Sequence, residues 1–205
     1  MKYLFYWVLL TGSLSASAQN MRVLQQFDKI LLGSQKFEIE GYMSSYLMEY
    51  KKDETNNRDL GYEYISYISK MSSMQLNFHK GILYLKRLII YYPKEGIEEA
   101  KIEYENINKY IILTSKVLSE GTTAASNPIY GKTGSGKVYS LSNSSTKRNV
   151  KSITMCSRLS FDFKANPPIG TISGYELIYE WVDLSKTELD ATIGYMDQPM
   201  IVNGK

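Results

Sequence analysis

SITMCSRLSFDF (152–163) and TISGYELIYEW (171–181), separated by a turn at NPPIG (166–170), decide the fold. In the first run the odd positions Ile153, Met155, Leu159, Phe161 and Phe163 are apolar, and the even positions Thr154, Arg158, Ser160 and Asp162 are polar. In the second, Tyr175, Leu177, Tyr179 and Trp181 share one side, with Glu176 and Glu180 on the other. Successive side chains of a strand point to opposite faces, so the pattern predicts a long β-hairpin with one covered face and one wet face.

The segments on either side extend the sheet. Residues 62–69 and 73–79 alternate in the same way, and Lys80-Gly81 suits a tight turn. Residues 82–92 are apolar on both faces except at Lys86 and Arg87, the mark of a central strand. Phe37, Ile39, Gly41 and Met43 alternate with Glu38, Glu40 and Tyr42, which predicts another strand running to Tyr50. Residues 51–58 are polar and read as a connection. Residues 121–136 are rich in Gly, Ser, Thr and Ala and read as a loop, with a short strand at 137–141, a polar turn at 142–148 and a last strand within 191–202.

Two segments read as helices. Val23, Leu24, Phe27, Ile30 and Leu31 recur at helical spacing between a capping Asn20 and a terminating Gly33. In the middle of the chain, Ile97, Ala100, Tyr104, Ile107, Ile111 and Leu118 form a helical stripe, while 101–105 alternate like a strand and 110–113 suit one, so strand is the alternative over 97–119. The fold class is therefore α+β: a curved antiparallel β-sheet or incomplete barrel covered by an N-terminal helix and a middle helix.

Residues 1–18 have the form of a secretory signal peptide: Lys2, an apolar run from Tyr3 to Leu10, and the small-residue site Ala16-Ser17-Ala18. Cleavage there leaves a single domain over 19–205, exported and periplasmic if the cell is Gram-negative, otherwise extracellular. The net charge of +3 is too small to point to nucleic acid. Tyrosine is abundant, 18 residues against 6 Phe and 2 Trp, which suits strands and amphipathic surfaces.

The motifs that carry chemistry are weak. Gly131-Lys-Thr-Gly-Ser-Gly136-Lys137 fits the first part of a P-loop, but Val138 stands where a magnesium-binding hydroxyl is needed and no strand-then-helix context surrounds it. No nucleotide is expected. One His (His79) and one Cys (Cys156) do not build a zinc site, and Asp53-Glu54 lacks calcium-loop spacing. Glu176 and Glu180 lie roughly 13 Å apart along a strand, too far for a directly acting carboxylate pair. No catalytic residue, metal or cofactor is assigned, and the chain is expected to be non-enzymatic. A hydrolase built on His79, Cys156 and a carboxylate is the remote alternative.

The order of elements resembles the LolA/LolB-type periplasmic lipoprotein-sorting fold. Val23–Leu31 matches its first helix, Phe37–Tyr50 its first long strand, and Ile82–Tyr92 and Ile153–Trp181 its later strands. The resemblance implies an incomplete barrel, lidded by helices, whose cavity accepts a lipid or a lipoprotein acyl chain. On that footing Met155, Leu159, Phe161, Phe163, Tyr175, Leu177, Tyr179 and Trp181 are the candidate ligand-binding residues. The other reading is a structural or protein-interaction module of the cell envelope, docking an envelope protein through a tyrosine-rich sheet without a ligand cavity.

Overall fold

The computed structural model describes residues 19–46, 51–57, 62–69, 71–127, 132–141, 149–162 and 169–187. The hairpin at 152–181 is its longest element pair: β7 (Asn149–Asp162) and β8 (Ile169–Asp183) pair antiparallel from Asn149↔Asp183 to Asp162↔Ile169. The register slips once. Arg158 faces Gly174 and Leu159 faces Ile172, so Ser173 is an extra residue at a bulge.

Six further strands join them: β1 (Lys51–Asn57), β2 (Tyr62–Ile68), β3 (Ser72–His79), β4 (Ile82–Pro93), β5 (Ser119–Asn127) and β6 (Lys132–Ser140). All eight form one antiparallel sheet in the order β1-β2-β3-β4-β8-β7-β6-β5. The sheet is open, with β1 and β5 as its edges. Between β3 and β4, Lys80 (φ 52°) and Gly81 (φ 75°) are both left-handed, as a type I′ hairpin turn requires. The central-strand reading of residues 82–92 holds, since β4 lies between β3 and β8 and is buried at Leu83–Lys86 and Leu88–Ile90.

Helices cover one face. These are α1 (residues 19–28), α2 (Lys36–Tyr46) and α3 (Ile97–Thr114), the last entered through a single 3-10 turn at Lys94–Gly96; a short α4 (Leu184–Thr187) follows β8. Leu24, Phe27 and Ile30 from α1 and its exit, Ile39 and Met43 from α2, and Ile107 and Ile111 from α3 are buried. They pack against Ile65, Leu76, Phe78, Leu88, Ile90, Tyr139, Ile153, Leu177 and Tyr179 of the sheet. The fold is thus α+β, an open antiparallel sheet covered by helices that include an N-terminal one.

Four expectations are corrected. Residues 36–46 are helix α2 rather than strand, because Ile39 and Met43, four apart, both reach the core while Phe37 stays 68% exposed. Residues 51–57 are strand β1 rather than a connection, held by pairing with β2. Residues 121–127 and 132–136 belong to strands β5 and β6 rather than a loop, fixed by their pairing with each other and with β7, and the short strand expected at 137–141 is the end of β6. The face of the hairpin turned away from α1 is wet only towards its turn: Thr154, Cys156, Glu176 and Glu180 are buried, whereas Arg158 is half-buried and Ser160 exposed. Arg87 neutralises Glu180 there, donating from Nε (2.9 Å) and Nη2 (2.7 Å), and also reaches Gln75 Oε1 at 3.2 Å. The expected leader at 1–18, the expected turn at 142–148, the end of the expected strand at 47–50 and the expected last strand at 191–202 lie outside the described residues.

Candidate functional site: an anchored helix end and an apolar cleft

A lysine in an apolar strand needs a reason. Lys86 lies on the helix-covered face of β4, opposite Leu76 on β3 and Trp181 on β8, and is fully buried. Its ammonium group donates to two carbonyls at the end of α1, Phe27 O at 2.7 Å and Ile30 O at 2.6 Å. The final carbonyls of a helix have no full set of partners within it, so Lys86 adds a cap from the sheet to the turn in which Ile30 N donates to Phe27 O at 3.2 Å. Asp28 is the counterion, with Oδ1 3.6 Å from Lys86 Nζ.

Asp28 gathers the sheet around it. Its Oδ1 accepts from Tyr179 OH at 2.6 Å, and its Oδ2 accepts from Lys151 Nζ at 2.9 Å and Tyr110 OH at 3.2 Å. One carboxylate therefore ties α1 to β7, β8 and α3. Trp181 lies beneath both cations, with its ring centre 4.6 Å from Lys86 Nζ and 4.4 Å from Lys151 Nζ. Burial pushes the Lys86 amine down to about 7, against the pull of Asp28 and with the help of Lys151. Burial raises Asp28, but Lys86, Tyr179 and Lys151 outweigh it and hold the carboxyl below its ordinary value. Burial, with Asp28 adding to it, pushes the Tyr110 phenol up to about 12.

The anchored helix end forms one wall of a cleft. Past Leu85↔Val182 the pairing between β8 and β4 stops, and the α1–α2 connection takes its place. Gly33 N donates to Leu83 O (2.8 Å), Leu83 N to Ser34 O (3.0 Å) and Lys36 N to Gly81 O (2.9 Å). Between this connection and the ends of β7 and β8 lies a partly open cleft of about 410 Å³. Leu32, Ile82, Leu83 and Tyr84 give it apolar walls, and His79, Lys80, Asn149 and Asp183 a polar rim. Asp183 Oδ1 is already engaged, accepting from Ser185 N (3.1 Å) and Ser185 Oγ (2.7 Å).

The candidate residues of the hairpin lie elsewhere. Leu177 and Tyr179 are buried in the core and Met155 packs against it, while Leu159, Tyr175 and Trp181 are half-buried. Phe163 and the side chain of Phe161 lie outside the described residues. None of the described ones lines the cleft. Cys156 is buried in mid-β7, and His79 stands at the cleft rim. Lys132–Gly136 of the P-loop-like run lies within β6, so a strand rather than a helix N-terminus follows Gly136. Asp53 and Glu54 lie on edge strand β1, and among the described residues no group of three or more His, Cys, Asp or Glu is placed to hold a metal ion.

The ionic cluster was not singled out by sequence reading. Its signal was present in Lys86 and Lys151, each a lysine in a strand otherwise rich in apolar residues. Its partner Asp28 sits on another element, and that pairing is a tertiary fact. The chain matches no family model, no curated protein and no solved structure.

Proposed function

We propose that this protein is an exported, non-enzymatic binder of an apolar ligand, a lipid or lipoprotein acyl chain, which it holds in the cleft at the end of the sheet. The observation that carries the reading is the cleft of about 410 Å³ walled by Leu32, Ile82, Leu83 and Tyr84. Its size falls in the roughly 300–1,000 Å³ range of small-molecule sites, and apolar walls with a few polar rim groups are the usual make-up of such sites. The hairpin face, the first place to look for a ligand surface, is occupied by α1 and α3, which directs the ligand to this end. The leader-like segment at 1–18 and the resemblance to the lipoprotein-sorting fold support export and an acyl ligand. Binding would rest on apolar burial, with no bond made or broken.

Ile82 is the residue to test, because it lines the cleft and is 39% exposed, so changing it spares the core. The mature chain is titrated with a fluorescent long-chain fatty acid, and co-purified lipid is sought by native mass spectrometry. Parent protein should bind the probe, and Ile82→Glu should weaken binding by about tenfold or more, equivalent to roughly 1.4 kcal/mol, with unchanged circular dichroism. A parent protein that neither binds the probe nor carries lipid would remove the reading. Equal binding by parent and variant would remove the cleft as the site.

A further inference from the structure

The two edges of the sheet are built differently. At β1 four of the seven residues are charged: Lys51, Lys52, Asp53 and Glu54. Helix α2 braces that edge, since Lys36 pairs with Glu54 (2.6 Å) and with Glu63, and Lys52 pairs with Glu40 (2.6 Å). An edge strand with charged side chains resists pairing with another chain. At the other end, β5 reads Ser-Glu-Gly-Thr-Thr-Ala-Ala-Ser-Asn, with one charge, no proline and no lysine. That charge, Glu120, is already matched by Lys137 at 2.8 Å.

Among the described residues β5 pairs with β6 alone, so the outward half of its backbone donors and acceptors has no strand partner there. Leu118 immediately precedes the strand and is 43% exposed. An edge strand with so little charge, beginning next to an exposed leucine, is a surface open to strand addition.

We propose that β5 pairs antiparallel with β5 of a second copy of this chain, making one sheet continuous across a symmetric dimer. The sequence is self-complementary in this arrangement. A two-fold axis at Thr123 sets Glu120 against Ser126, Gly121 against Ala125 and Thr122 against Ala124, so no like charges meet. The same operation about the midpoint of β1 would set Glu54 against Glu54. One open edge and one charged edge give a closed pair rather than a fibre. Leu118, next to the first residue of β5, supplies an apolar side chain at each end of the join.

The register makes the test one of charge. Thr122→Glu is placed opposite Lys137 within its own chain, which tolerates a carboxylate. Combined with Ala124→Glu it sets like charges against each other twice across the axis; combined with Ala124→Lys it sets opposite charges there. Sedimentation velocity of the mature chain over a range of concentrations should show the parent as a dimer. Thr122→Glu/Ala124→Glu should weaken association by about tenfold or more, and Thr122→Glu/Ala124→Lys should stay within about threefold of the parent. Because both variants share Thr122→Glu, a difference between them reports on pairing and not on folding. A parent that stays monomeric up to about 100 μM, a tightness that corresponds to roughly 5.5 kcal/mol, overturns the proposal. So does a parent dimer that responds equally to both variants.

Discussion

Lys86 shows how much one side chain can decide. In a buried amine the neutral form still donates two hydrogen bonds, so Phe27 O and Ile30 O keep their donors whether or not Lys86 is charged. The charge is therefore not what makes the cap, and it bears the cost of burial. With a folded pKa of about 7 against an ordinary 10.5, the unfolded chain binds more protons than the folded one between those values. The cost is fully present below pH 7 and is relieved as pH rises towards 10.5, so stability should rise across that window by at most about 1.4 kcal/mol per pH unit. Asp28, held below its ordinary 3.8, acts in the same direction at the acid end, where its contribution is lost as pH falls. Urea unfolding of the parent should show a midpoint rising from pH 7 to 9. Lys86→Met should flatten that rise, and at pH 9 should cost about 1–3 kcal/mol, chiefly for the Ile30 carbonyl, since Phe27 O still accepts from Ile30 N at 3.2 Å. An unchanged pH slope in the variant would show that Lys86 does not titrate in this window.

Among the elements, those with a sustained period were legible and those fixed by their neighbours were not. The hairpin, β4 and α3 each repeat their pattern over many residues; the first two stand where the pattern puts them, and α3 ends at Thr114, short of the stripe's last member Leu118. Ile39 and Met43 are four apart, a spacing shared by two repeats of a strand and about one turn of a helix, so the alternation around them could not separate the two. β1 is too charged, and β5 and β6 too small-sided, to show any period; pairing partners settle all three. The small residues of β6 have their own reason. A Cβ on Gly136 would lie 2.6 Å from Thr154 Cα and would collide with Ile153 O, and one on Gly134 would lie 2.7 Å from Cys156 Sγ. The run that resembles a phosphate loop is glycine-rich because β7 passes close beside it. Gly136→Ala should accordingly destabilise the protein by about 1–3 kcal/mol through overpacking, read from its urea midpoint, although alanine has the better intrinsic propensity for ordered structure. A neutral or stabilising result would mean that β6 can move off β7 at little cost.

At the scale of the molecule, the sheet is two halves joined by one seam. β1–β4 are consecutive hairpins, β5–β8 are another set, and the β4–β8 pairing, such as Arg87 with Glu180, joins residues far apart in sequence. Helix α1 lies over that seam. Its Asp28 reaches Lys151 on β7, Tyr179 on β8 and Lys86 on β4, and the helix with its exit places Leu24 (0% exposed), Phe27 (1%) and Ile30 (5%) in the core. None of this linkage could be seen in the sequence, where the segment reads only as an amphipathic helix needing some apolar surface. Burying three large apolar side chains contributes about 1.5–3 kcal/mol each. Their sum is comparable with the whole net stability of a domain, about 5–15 kcal/mol, before the two lysines lose their carboxylate. A chain beginning at Gln35 should therefore lose its cooperative thermal transition and its near-ultraviolet circular dichroism, even though all eight strands remain in it. Retention of a sharp transition within a few degrees of the parent would show that the seam holds by strand pairing alone, and that α1 is a lid on the sheet rather than the piece that closes it.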